Sequence, residues 1–74
     1  MERIRVIHDT AGHTLTIWLA DPKQEYISTL TDDEVVVMKS REGQVLGFEV
    51  LHYQPADPNA GLSVEATIQP SSPR

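Results

Sequence analysis

Glu34-Val-Val-Val-Met-Lys-Ser-Arg-Glu-Gly-Gln-Val-Leu-Gly-Phe-Glu-Val-Leu51 sets two apolar, β-branched runs on either side of a polar turn that ends in Gly43. Val, Ile and Phe favour the pleated, half-buried surface of a strand, and a short polar turn with Gly returns the chain on itself. This stretch reads as a β-hairpin, with strands near 34–40 and 45–52. Upstream, Ile4, Val6 and His8 alternate with Arg3, Arg5 and Ile7, and Leu15, Ile17 and Leu19 alternate with Thr14, Thr16 and Trp18. Alternation with period two marks strands with one buried face. Asp9-Thr-Ala-Gly12 joins them with Asp first and Gly fourth, the preference of a type I turn. Gly12 and Gly43 are each expected at a positive φ, or just after the turn as a bulge.

Residues 21–33 support two readings. Asp21-Pro22-Lys-Gln24 has an N-cap, a Pro at the first helical position and a capping partner. Glu25-Tyr-Ile-Ser-Thr-Leu30 is rich in strand formers, and an extended segment is the favoured reading. The predicted fold is mainly β: a small antiparallel meander sheet of about five strands built from two hairpins. Residues 1–53 form this domain. Residues 54–69 are a Pro-containing extension packing on the domain or a partner, in which Leu62, Val64, Ala66 and Ile68 alternate as a short strand. Residues 70–74 are expected to be a disordered tail.

The spread of these runs resembles the small bacterial proteins of domain-of-unknown-function family 2283, over about residues 4–52. The likeness rests on Val6-Ile7-His8-Asp9, Thr14-Leu15-Thr16-Ile17, Val35-Val36-Val37 and Glu42-Gly43-Gln44-Val45-Leu46-Gly47-Phe48-Glu49-Val50-Leu51. His8 stands where the family usually has Tyr, Phe48 replaces Ile, and Glu42 replaces the Asp before Gly43. Lys39, Ser40 and Arg41 stand at usually acidic positions. The resemblance implies a compact β-rich domain with no assigned activity. Some relatives look like partners of small toxin-type proteins.

Eleven acidic residues against six basic ones give a net charge of −5. The basic residues form no dense run, so the counterion release that drives phosphate-backbone binding has no footprint, and no nucleic-acid partner is expected. A basic protein partner suits this charge. Apolar runs are too short for a membrane-spanning helix. The N-terminal residues carry no apolar stretch of a signal peptide, and a cytoplasmic location is expected. Cysteine is absent, which excludes disulfide and thiolate-metal staples. A chain of 74 residues with one Trp, one Phe and two Tyr turns readily to oligomerisation for its stability.

The three histidines invite a metal reading, in which His8 and His52 project near strand ends and His13 or Asp9 completes a zinc set. Their spacing matches no standard ligand signature, and strand-end histidines bonded to backbone or water are the favoured reading. Asp32-Asp33-Glu34 reads as a solvated turn. Glu49, a charge inside an apolar strand, is expected to pair with Arg3 or Arg5. No Gly-rich phosphate loop, nucleophile elbow or Ser/His/Asp set is present, so neither an enzyme nor a cofactor is expected.

Parity along the strands divides the apolar residues between two faces. One gathers Ile4, Val6, Leu15, Ile17, Leu19, Val36, Met38, Leu46, Phe48 and Val50. The other carries Ile7, Trp18, Val35, Val37, Val45 and Leu51 among charges. A single sheet must bury its apolar face against another layer, and no long amphipathic helix is available to supply it. A homodimer with a sandwich-like core is therefore expected, through Phe48 on the first face, with Trp18, Val35 and Val37 as a further interface on the second. The functional expectation is a homo-oligomeric protein–protein interaction or regulatory module, with an antitoxin-like subunit as one form of it. The rival is a small-molecule or metal-binding protein using the histidines.

Overall fold

A computed structural model describes residues 3–54 and 61–70 of the chain. It is mainly β, with five antiparallel strands in one open sheet: β1 (Arg5–Asp9), β2 (Thr14–Trp18), β3 (Ile27–Leu30), β4 (Val35–Lys39) and β5 (Val45–Val50). Both readings of residues 21–33 hold in part. Pro22–Gln24 makes one 3-10 turn, capped by the Asp21 carboxylate accepting from the Lys23 N–H at 3.0 Å, and β3 follows at once.

The strand order is β1-β2-β5-β4-β3, so the sheet is not one sequential meander. β3, β4 and β5 follow one another through hairpins, and β2 returns beside β5 after the long link 19–26. That is the arrangement of a Greek key, with β1 added as a hairpin partner of β2. The two turns between β3, β4 and β5 are closed by the same device. In Ser40–Gln44 the Ser40 carbonyl accepts from Gly43 at 3.0 Å and its hydroxyl from the Gln44 N–H at 3.2 Å. In Thr31–Val35 the Thr31 carbonyl accepts from Glu34 at 3.2 Å and its hydroxyl from Val35 at 3.3 Å. Gly43 takes the positive φ of 85° expected of it. Gly12 does not: the left-handed residue of the first turn is His13, at φ 57°. A Cβ at Gly12 would lie 2.9 Å from the Asp9 carboxylate, which accepts from both Ala11 and Gly12 and would have to shift to make room.

The division of faces read from the sequence is wrong for β4. Lys39 lies opposite Val45, but Met38 lies opposite Gly47, so Leu46 is an extra residue in β5, a β-bulge. A one-residue shift moves every later side chain to the other face of the sheet. Val37 therefore faces Phe48, and Val35 faces Val50, while Val36 and Met38 lie in register with Glu49 and Gly47. One face now holds Val6, Leu15, Ile17, Phe48, Val50, Val35 and Val37, all half-buried, with His8 beside Leu15 and Thr29 beside Val37. The opposite, mixed face holds Arg5, Ile7, Thr16, Trp18, Glu49, Val36 and Met38.

Leu46 is fully buried, and its carbonyl accepts from Leu19 at 2.7 Å and Ala20 at 3.2 Å, which ties the start of the 19–26 link to the bulge. Met38 is the other buried apolar residue among those described, and Ser40 the buried polar one. No strand forms at 62–68. Gly61–Pro70 has no regular structure, with Leu62, Val64 and Ile68 exposed. The alternation there supplies an apolar edge, but no neighbouring strand takes its backbone bonds. The tail expected beyond Pro70, like residues 55–60 of the extension, lies outside the described residues.

Gly47 fixes how closely β2 and β5 approach. A Cβ there would sit 2.5 Å from the Ile17 carbonyl oxygen and 3.0 Å from Cε3 of Trp18, whose ring lies over the glycine. The backbone oxygen has nowhere to go without breaking the ladder. Gly47→Ala is expected to destabilise the protein by about 2 kcal/mol or more, read as a lower urea midpoint; an unchanged midpoint would show that the two strands are not so tightly apposed.

Candidate functional site

Two regions gather the residues singled out in the sequence: one end of the sheet and the apolar face. At the sheet end, β1 stops at Asp9, β2 begins at Thr14, β4 begins at Val35 and β5 stops at Val50, so all three histidines collect there. They do not converge on one point. The His8 ring meets Tyr53 edge-on, with centroids 5.1 Å apart. The carbonyl of His13 accepts from the Tyr53 N–H at 2.7 Å. His52 Nε2 lies 3.8 Å from Glu34 Oε2, in a pair that is largely solvated, at 76% and 61% side-chain exposure. Such exposed pairs add little to stability. Among the described residues, no group of three His, Asp or Glu side chains is placed to hold a metal ion.

What the sequence did not reveal is that His13, Glu34 and His52 all have positive φ, at 57°, 61° and 55°. Left-handed backbone is uncommon for such residues and costs on the order of 1 kcal/mol each. Neighbouring bonds hold them: Leu51 N–H donates to the Glu34 carbonyl at 3.0 Å, and Tyr53 to that of His13. The segment 51–53 thus sutures the β3–β4 turn to the β1–β2 turn. Neither His nor Glu advertises this conformation, and the only available signal was the turn spacing.

Glu49 does not meet Arg3 or Arg5. The register sets Ile7, Thr16, Glu49 and Val36 in one row, and Thr16 Oγ1 donates to Glu49 Oε2 at 3.5 Å. Arg5 belongs to another row, opposite Trp18. Strand alternation puts both on one face, but two residues apart along the strands, and Thr16 takes the nearer place. Asp32 and Asp33 lie exposed in the β3–β4 turn.

The apolar face has the clearer character. Val35, Val37 and Phe48, named above as interface residues on different faces, share this one, with Val37 directly opposite Phe48. Trp18 lies on the mixed face, half-buried over Gly47. With β4 in its true parity, apolar side chains run from Val6 through Ile17 and Phe48 to Val37 across four strands. No helix among the described residues is long and apolar enough to cross a membrane.

The chain matches no protein-family model, no curated protein and no solved structure with which it was compared.

Because the histidines serve separate local partners, zinc addition is expected to leave both the melting temperature and the histidine NMR resonances unmoved. A stoichiometric rise in melting temperature would reinstate a metal site. The Asp9 cap is the more sensitive element: Asp9→Ala should cost about 1 kcal/mol and speed amide exchange at Ala11 and Gly12.

Proposed function

We propose that the protein is a homo-oligomeric protein–protein interaction module whose working surface is the apolar face of the sheet. The observation that carries this reading is the uninterrupted row Val6, Ile17, Phe48 and Val37, flanked by Leu15, Val50 and Val35, with only Met38, Ser40, Leu46 and Gly47 buried among the described residues. A sheet of this kind gains stability by removing that face from water, and a second copy stacked on it is the simplest layer. A two-fold pairing would place Phe48 and Val37 of both chains near the centre of the contact, where buried aromatic and aliphatic anchors contribute most.

The net charge of −5 supports a further, basic protein as the regulated partner of such an assembly, as an antitoxin-like subunit would have. The face supplies the association and the acidic turns the charge. The row of apolar side chains supports a binding surface as the protein's working part.

Replacing Phe48 tests the face directly. Phe48→Asp is expected to halve the mass measured by light scattering, or to unfold the protein. Ile7→Lys, at an exposed site on the mixed face, should leave both mass and circular dichroism unchanged. Native mass and native spectrum in Phe48→Asp would overturn the reading.

A further inference from the structure

We infer that β3 is a second, separate contact surface, on which a second copy of this chain docks edge to edge. β3 is an outer strand of the sheet, with Ile27-Ser28-Thr29-Leu30 all exposed and neither charge nor proline among them. Outer strands usually carry such groups because an open row of backbone donors and acceptors invites another strand. The other outer strand, β1, carries Arg5 and Asp9.

The backbone decides the pairing. Thr31 N–H donates to the Val35 carbonyl at 2.9 Å, and hydrogen-bonded pairs recur at every second residue of an antiparallel ladder. Thr29 and Ile27 therefore turn their backbone groups to β4, while Ser28 and Leu30 turn theirs outward. A two-fold axis through Thr29 sets Ser28 of each copy opposite Leu30 of the other. That register satisfies all four outward N–H and carbonyl groups of the two residues on both chains. A register centred on Ser28 would set Leu30 opposite Tyr26, whose N–H is already donated to the Lys39 carbonyl at 2.8 Å, and so leave the Leu30 carbonyl unbonded.

Charge favours the same register. Lys39 lies opposite Ile27, and the Arg41 guanidinium sits 4.8 Å over the Tyr26 ring, so the beginning of β3 is basic. Its end runs into Asp32 and Asp33. The two-fold puts Asp32 of the second copy opposite Tyr26, beside Arg41. Glu25, at the basic end, is turned to its own strand and accepts from the Ser28 hydroxyl at 2.8 Å. The hydrogen bonds of this contact lie in the plane of the sheet and do not rest on the face association, although Thr29, opposite Val37, shares the apolar face.

The chain has no cysteine, so one introduced thiol reports on one place. At the axis, Thr29 meets its own copy in a non-hydrogen-bonded pair with Cα atoms about 4.5 Å apart, within disulfide reach. Under mild oxidation, Thr29→Cys is expected to form a covalent dimer faster than Thr10→Cys, in the exposed first turn, by on the order of tenfold or more, because a held contact raises the effective concentration. Equal rates overturn the proposal. Adding Ser28→Pro to Thr29→Cys removes an outward donor without touching the β4 ladder, and should bring the rate down to that of Thr10→Cys. Adding Leu15→Lys instead, far across the apolar face, should leave it high. Loss of cross-linking with Leu15→Lys and its retention with Ser28→Pro would assign the contact to the face and sink the edge pairing. Retention with Leu15→Lys while the mass falls would keep the edge pairing whatever becomes of the face.

Discussion

The extra residue at Leu46 governs the rest of the molecule. Its side chain is fully buried, and its carbonyl is shared by the N–H groups of Leu19 and Ala20. An unpaired carbonyl at a buried bulge would cost free energy comparable to a lost hydrogen bond. The link leaving β2 meets that need, and by doing so is anchored where it sets out toward β3. One irregularity therefore sets the parity of β4 against β5 and begins the crossover that makes the sheet a Greek key.

Gly47 beside it completes the junction. Bulges bend and twist the strand that carries them, and here the next residue lets the backbone of β2 come close enough for the Trp18 ring to lie across it. An aromatic ring over a strand glycine restores the side-chain cover that glycine lacks. The pair explains why the one tryptophan is half-buried on the mixed face and not free on the surface.

Strand locations were legible in the sequence because period-two alternation and turn chemistry acted together at Asp9–Gly12 and Ser40–Gly43. β1, β2, β4 and β5 follow from such local signals, whereas residues 21–33 supported two readings, and the alternation at 62–68 suggested a strand that does not form. Face membership was not legible. It depends on a bulge, and Leu46 is an ordinary strand residue by type. The pairing of β2 with β5 was equally hidden, since it joins residues some thirty positions apart and is settled by burial and not by any local preference. For the candidate site the same division holds. Val35, Val37 and Phe48 were identified as apolar and strand-borne, but only the register assembles them on one surface. The expected partner of Glu49 failed for a related reason: cross-strand neighbours are set by row, and its row contains Thr16.

The matching hydroxyl closures at Thr31 and Ser40 have a consequence for how the chain reaches this state. Both turns complete themselves with groups a few residues apart, so β3, β4 and β5 assemble through short-range contacts at little loop entropy. The β2–β5 ladder instead closes a long stretch of chain. It therefore carries the larger loop-closure cost, which the bonds from Leu19 and Ala20 to Leu46 and from Tyr53 to His13 help to offset.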